Sequence, residues 1–484
     1  MAEKKPNKYK NLFSNTLIFA IGSFSSKILV LILVPIYTYY MTEAELGMND
    51  VIVQLANWLL PVVTLTIAEA VIRFGLDKAH DKKSVFTIGN VIVLTGIIIL
   101  GVILPVATRI PIVKEFVGDY ELLLFVYVLT SSLKLLYSTF VRALEKVKLF
   151  AINGILTTFL TLAFTIAFIA VARWGVTGYL LAIILADFCS IVFLLFTAKL
   201  WRYLSARKFN GTLLKAMLTY SLPLIPTQLL WLITNSSDSF MVKYFLGAES
   251  NGILAAAYKI PNIVSTIYLM FGQAWNMSAI SENESDDRSR FYTKVFDLNQ
   301  SLMYLVAGGI LLIVKPVTMV WIGPAFRESL SYAPILVYAT VFTCFATFMG
   351  TAYIATKNTV RSLMTSLVSG VINVGINLVF IPKIGIYAAA ISTLASYLVV
   401  FIIRLIDAKR LINFSFSLPK MVINNILLIL MVLSNYIRGI KSYALLFVLF
   451  AVILVINLRC MLQLAKAFVP ERFLKKIPVI NKLI

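Results

Sequence analysis

The chain has 484 residues, of which 60% are hydrophobic and only 13% charged, with a formal net charge of +21. A soluble globular domain carries roughly 25% charged residues, so this composition excludes a soluble domain and a disordered chain. The basic residues sit between long apolar runs, which points away from nucleic acid and toward an anionic membrane surface as the partner.

A helix that spans a bilayer needs about 20 apolar residues. Runs of that kind begin near residues 14, 50, 86, 120, 150, 178, 219, 252, 292, 331, 362, 385, 421 and 442, which predicts fourteen spanning helices. The first follows Lys4, Lys5, Lys8 and Lys10 and continues to Tyr40. It is too long for the apolar core of a cleavable leader, so none is expected. The second is the most polar, with Gln54, Asn57, Glu69 and Arg73. The stretch 199–218 holds Lys199, Arg202, Arg207, Lys208 and Lys215 and reads as an amphipathic linker on the inner leaflet. Period-2 alternation is absent, and an open strand would leave its backbone unpaired in lipid, so helix is the reading for every run.

Lys and Arg alternate between loops. With the N-terminus inside, 31 of the 43 fall in loops on that side. This predicts a multi-pass protein of the cytoplasmic membrane with both termini cytoplasmic. The motif Tyr39-Tyr40-Met41-Thr42-Glu43-Ala44-Glu45-Leu46-Gly47 echoes Tyr244-Phe245-Leu246-Gly247-Ala248-Glu249-Ser250-Asn251-Gly252. Trp174-Gly175-Val176 likewise echoes Ile384-Gly385-Ile386. The expected organisation is therefore a six-helix lobe over 1–198, the linker 199–218, a parallel six-helix copy over 219–410, and a helix pair with a basic tail over 411–484.

Helix count, repeat and local motifs together resemble the Wzx-type polysaccharide transporter flippases of the multidrug/oligosaccharidyl-lipid/polysaccharide exporter superfamily. The motifs are Gly22-Ser23-Phe24-Ser25-Ser26-Lys27, Glu69-Ala70-Val71-Ile72-Arg73-Phe74, Leu222-Pro223 and Ala256-Ala257-Tyr258-Lys259-Ile260-Pro261. The resemblance implies two lobes in a V around a central cavity that opens alternately to either side. It implies a cargo of undecaprenyl-pyrophosphate-linked oligosaccharide carried from the inner to the outer leaflet. A polysaccharide polymerase and chain-length machinery are the partners it suggests beside membrane lipids. The related lipid II flippase has an arginine–aspartate pair that falls on Leu33 and Val34 here, a departure at its phosphate site.

Ionisable residues inside a span mark candidate sites, because each costs free energy unless it faces a cavity or a partner. Lys27 and Lys134 fall near the middle of helices one and four, and Lys259 about two turns into helix eight. Lysine is a point-charge phosphate binder, so these three, with Arg73 at the entrance, are the candidates for a pyrophosphate headgroup. Snorkelling or structural pairing is the competing reading. Glu69 and Arg73 are spaced to pair on one helix. Asp187, Asp238 and Glu69 are candidates for a coupling Na⁺ or proton, with capping or helix pairing as the alternative. Asn373 and Asn377 are expected to tie helices together. Pro35, Pro61, Pro223, Pro226 and Pro261 interrupt the first two helices of each copy and are candidate hinges.

Cys189, Cys344 and Cys460 lie in apolar runs and His80 in a loop, with no metal-ligand spacing. No Walker motif is present, which excludes an ATP-driven pump, and no cofactor is expected. The acidic run Glu282-Asn283-Glu284-Ser285-Asp286-Asp287 reads as a solvated turn. A transporter rather than an enzyme is therefore expected. The alternatives are a multidrug cation antiporter of the same superfamily and a membrane-embedded polysaccharide polymerase.

Overall fold

A computed structural model describes residues 31–77, 79–281, 288–356 and 358–468. Lys27 with its motif, the 282–287 acidic run and the basic tail lie outside them. Seventeen α-helices carry the described chain: α1 Leu31–Tyr40, α2 Glu43–Val63, α3 Ile67–Leu76, α4 Lys82–Ala107, α5 Pro111–Val117, α6 Glu121–Ala143, α7 Val147–Thr165, α8 Gly175–Ala198, α9 Gly211–Ser221, α10 Leu224–Lys259, α11 Pro261–Ser281, α12 Arg288–Trp321, α13 Ala333–Ala355, α14 Thr359–Ile384, α15 Tyr387–Ile412, α16 Leu418–Ser434 and α17 Ile440–Phe468. Among the described residues eleven spans are long and apolar enough to cross a membrane, or twelve where the bent pair Ser236–Lys259 and Pro261–Leu269 counts as one. The shorter apolar helices α1 and α16 complete the series, which follows the fourteen apolar runs in order. The protein is an all-α, multi-pass membrane protein.

The chain divides into two compact units that meet between Lys243 and Tyr244. In unit 1 the core is built from α2, α3, α4, α6 and α8. Phe86 stacks on Phe140 at 4.3 Å and touches Tyr137 at 5.4 Å. In unit 2 the ring of Trp275 stacks on Phe348 at 4.5 Å, while its Nε1–H donates to Thr351 Oγ1 at 2.8 Å. The outer faces stay apolar. Ile98, Val102 and Val106 recur every four residues along α4 and are all exposed. Lipid tails solvate such a stripe, so its exposure carries no hydrophobic cost in a bilayer.

The two sequence echoes fall on equivalent breaks. Thr42 is the N-cap of α2: its side chain accepts from Glu45 N–H, and the Glu45 carboxylate accepts from Thr42 N–H, a capping box. Its counterpart Gly247 is the non-helical residue inside α10, at φ 89° and ψ 174°. Gly175 opens α8 and Gly385 caps the end of α14 just before α15, with φ of 52° and 64°, which is left-handed backbone that glycine adopts without strain. A Cβ on Gly175 would run into the Glu45 carboxylate, so in unit 1 the two motifs meet.

Of the candidate hinge prolines, Pro35 and Pro61 lie inside helices and the others at breaks or helix starts. Pro61 lies two residues before the end of α2, and Leu65 and Thr66 follow with φ of 48° each. Thr66 Oγ1 then donates to the carbonyl of Ser221 at 2.6 Å, which docks the end of α9. Pro223 sits in the short gap between α9 and α10, with Pro226 in the first turn of α10. Pro261 opens α11 at a 46° bend. Pro35 lies within α1. Over 199–218 the chain forms two short 3-10 turns, Leu200–Tyr203 and Ala206–Lys208, followed by most of α9.

Candidate functional site

The charge-bearing centre of unit 1 lies between α6 and α8. Lys134 Nζ donates to Asp187 Oδ1 at 2.6 Å, and Ser131 Oγ donates to Asp187 Oδ2 at 2.7 Å. Ser131 and Lys134 are three residues apart on α6, so they present both donors on one face. Both carboxylate oxygens of Asp187 are therefore engaged. The Asp187 side chain is only 3% exposed, whereas that of Lys134 is 32% exposed. The cation thus keeps an open side while the anion does not. One turn along α8, Ser190 Oγ donates to Asn153 Oδ1 of α7 at 2.8 Å and fixes the helix from its other flank. Tyr127 and Tyr37 are also buried in unit 1, with the Tyr37 ring 4.8 Å from that of Tyr179. The sequence nominated Lys134 and Asp187 for separate tasks, and the structure joins them in one pair.

Beside this turn is a cavity of about 550 Å³ in unit 1. Its walls include Asn57, Thr64, Glu69, Leu135, Gln228 and Trp231. Leu135 follows Lys134 directly in sequence. Two amides, a hydroxyl, a carboxylate and an indole face are the groups that hold sugars, through hydrogen bonds to hydroxyls and packing against the ring face. Glu69 belongs to this cavity. It does not form the expected ion pair with Arg73, which instead places its guanidinium over the Tyr220 ring at 5.2 Å. Both side chains are exposed, and an exposed i,i+4 pair gains too little to outweigh an available aromatic face.

The other sequence candidates have simpler settings. Asp238 is buried, at 4% exposure, in α10. Lys259 is the last residue of α10 and partly buried; the neighbouring Tyr258 hydroxyl lies 3.1 Å from Thr393 Oγ1. Leu33 and Val34 are each 3% exposed, so they pack inward. Asn373 Nδ2 donates to Ser392 Oγ at 3.2 Å and joins α14 to α15, while Asn377 Nδ2 donates to Asn373 Oδ1 at 3.2 Å, the expected helix-tying role.

Two basic residues escaped the sequence reading. Lys243 is buried and donates to the carbonyls of Glu115 and Phe116 at 2.8 and 3.1 Å. It closes the C-terminal end of α5, where unpaired carbonyls attract a cation. Arg404 lies inside α15. Its Nε donates to Thr365 Oγ1, its Nη1 to the Ala346 carbonyl and its Nη2 to Ser366 Oγ, each at 3.0 Å. Its local sequence carries no signal of these contacts, because the acceptors come from α13 and α14.

The fold is that of a polytopic helical membrane protein, and it is shared with solved membrane transporters. The lipid II flippase MurJ, in an inward closed conformation, superposes with a TM-score of 0.69 at 15% identity, over 94% of this chain and 100% of that one. An outward-facing multidrug resistance MATE family transporter of the MOP superfamily gives 0.56 at 17% identity, over 82% and 95%. A MOP superfamily transporter from Pyrococcus furiosus gives 0.50 at 16% identity, over 82% and 96%. No curated protein matches. The family model for polysaccharide biosynthesis proteins matches residues 12–284, and the chain belongs to that family.

Proposed function

We propose that this protein is a flippase that carries an undecaprenyl-pyrophosphate-linked oligosaccharide from the inner to the outer leaflet of the cytoplasmic membrane by alternating access. The observation that carries the reading is the Lys134–Asp187 pair beside the unit 1 cavity. In the resting state Asp187 neutralises the lysine. An arriving pyrophosphate offers more negative charge and more acceptor oxygens, and takes over the open side of Lys134. The glycan then occupies the cavity lined by Trp231, Asn57 and Gln228. Lys27, Lys259 and Arg73 supply further positive charge along the path of the headgroup.

Release of Lys134 leaves Asp187 in a buried site with the Ser131 hydroxyl but no cation. A buried carboxylate without a cation costs several kcal/mol and recruits a proton or Na⁺ instead. That exchange gives a route by which cargo binding at one residue and ion binding at its neighbour become linked, with Asp238 and Glu69 as further acids. Pro35, Pro223, Pro226 and Pro261 mark the helices that bend. Both termini face the cytoplasm in this scheme, and a polymerase with its chain-length machinery receives the product.

The test is complementation of a polysaccharide-export mutant, scoring surface polymer and the accumulated lipid-linked intermediate. Wild-type protein restores polymer, and Lys134→Ala and Lys27→Ala do not, at unchanged protein level. Retained export in both variants overturns the phosphate assignment. A second reading, a multidrug cation antiporter, draws on the fold shared with MATE transporters and on the buried acids Asp187 and Asp238. It would appear as drug resistance without polymer rescue.

A further inference from the structure

Arg404 is a further charge held among the helices, and its surroundings differ in kind from those of Lys134. Ile402 and Ile406 on either side of it are exposed on the lipid face of α15. Two residues along an α-helix turn about 200°, so Arg404 points away from lipid, toward α13 and α14. All three of its contacts are to neutral oxygens. Among the described residues no carboxylate lies within ion-pair distance of it. The nearest acid along α15, Asp407, is already committed. It accepts from Tyr353 OH at 2.7 Å and from Arg361 Nη1 at 3.2 Å.

Neutral oxygens satisfy the hydrogen-bonding demand of a guanidinium but leave its charge. The cluster therefore holds two guanidiniums, Arg404 and Arg361, against one carboxylate. A guanidinium has five N–H donors. Three are spent, and one remains on each of the two terminal nitrogens. Free donors on both terminal nitrogens can each bond an oxygen of an arriving phosphate. The side chain is only part-buried, so an edge stays open to an arriving group.

Two more observations fit a built site. Gly350 lies against the guanidinium, where a Cβ would sit 2.8 Å from Nη1, so the absence of a side chain there makes the room. Ser369 follows Thr365 and Ser366 on the same face of α14. It is 2% exposed, and its hydroxyl has no hydrogen-bond partner. Beyond Arg404, the exposed residues Arg361, Lys409 and Arg410 draw anions to this end of α14 and α15.

We propose that Arg404 is the centre of a phosphate-binding site within unit 2, framed by Thr365, Ser366 and Gly350. It takes a phosphate group, either on a membrane-lipid headgroup or free, and it is separate from the Lys134 site. The proposal does not depend on which cargo the protein moves.

The experiment is thermal unfolding of the purified full chain in a neutral detergent, with inorganic pyrophosphate, phosphatidylglycerol or phosphatidylcholine added in turn. A ligand that binds only the native state raises Tm with its concentration. Wild-type protein is expected to respond to pyrophosphate, to phosphatidylglycerol or to both, and more weakly to phosphatidylcholine, whose choline cation offsets the charge of its phosphate. A response to pyrophosphate identifies the phosphate group alone as the ligand. A response confined to phosphatidylglycerol identifies a lipid headgroup. Arg404→Gln is expected to need at least tenfold more of the active anion for the same shift. Arg404→Lys, which keeps the charge and loses the fork, falls between. Should Arg404→Gln not fold, Gly350→Ala serves, because it displaces Nη1 while leaving the charge in place, and it too weakens the response. An unchanged response in the folded variants, or no response of wild type to either anion, overturns the site.

Discussion

The two units treat a cation held among their helices in opposite ways. In unit 1 the fourth and sixth spanning helices, α6 and α8, meet through Lys134 and Asp187. In unit 2 the tenth and twelfth, α13 and α15, meet through Arg404 and the Ala346 carbonyl. One charge is cancelled by a carboxylate. The other is held by three neutral oxygens while the neighbouring carboxylate serves Tyr353 and Arg361. The difference follows from the side chains. An ammonium is a compact charge that a carboxylate neutralises locally, whereas a planar guanidinium spreads its donors over several acceptors on several helices. A paired charge becomes available only by exchange. An unneutralised one is on offer throughout.

The largest expected effect breaks the unit 1 side of this contrast. Asp187→Leu strands the partly buried ammonium and should cost about 3 kcal/mol, at the low end for a broken buried pair because Lys134 retains some exposure. Adding Lys134→Met should return stability to within about 1 kcal/mol of wild type while export stays abolished. Detergent unfolding curves of the two variants check this, and a double variant as unstable as the single one breaks the account. Arg404→Met strands no charge. It leaves three acceptors without donors and should cost about 2 kcal/mol by the same measurement.

Smaller changes sharpen the comparison at the repeated glycines. Gly175→Ala and Gly385→Ala both force a side chain into left-handed backbone, at about 1 kcal/mol. Only Gly175 also meets Glu45, whereas nothing approaches a Cβ on Gly385. Gly175→Ala should therefore lose about 2 kcal/mol, and equal losses at both would refute the Glu45 contact. The smallest effect is Asp407→Asn. Its partner Arg361 is exposed, so the lost pair costs about 0.5 kcal/mol, and melting should shift only slightly with the Arg404 contacts intact.

Much of the architecture was legible before any coordinates. Runs of apolar residues long enough to cross a bilayer leave helix as the one backbone solution, so the span order follows from composition along the chain. The echo of Thr42 with Gly247 and of Gly175 with Gly385 was visible as well, because a chain break and a left-handed turn demand particular residues. Lys134 and Asp187 each stood out as an ionisable group inside an apolar run. Their pairing did not, since they are 53 positions apart and no local spacing links them. The Glu69–Arg73 pair shows the converse error. Its spacing was right, but Tyr220 from another helix offered Arg73 a better surface.

By itself, the sequence determined that this protein lives in a membrane, in which order its helices cross, and where the backbone must turn. Those features depend on neighbours along the chain and on the cost of unpaired peptide groups in lipid. Tertiary structure alone decided which charges cancel and which remain. Nothing near Arg404 in sequence marks its role, and only the arrival of Ala346, Thr365 and Ser366 from α13 and α14 makes it a cation held inside the helical bundle of unit 2. Charge compensation is a through-space property, set by which helices pack together, and a linear pattern does not carry it.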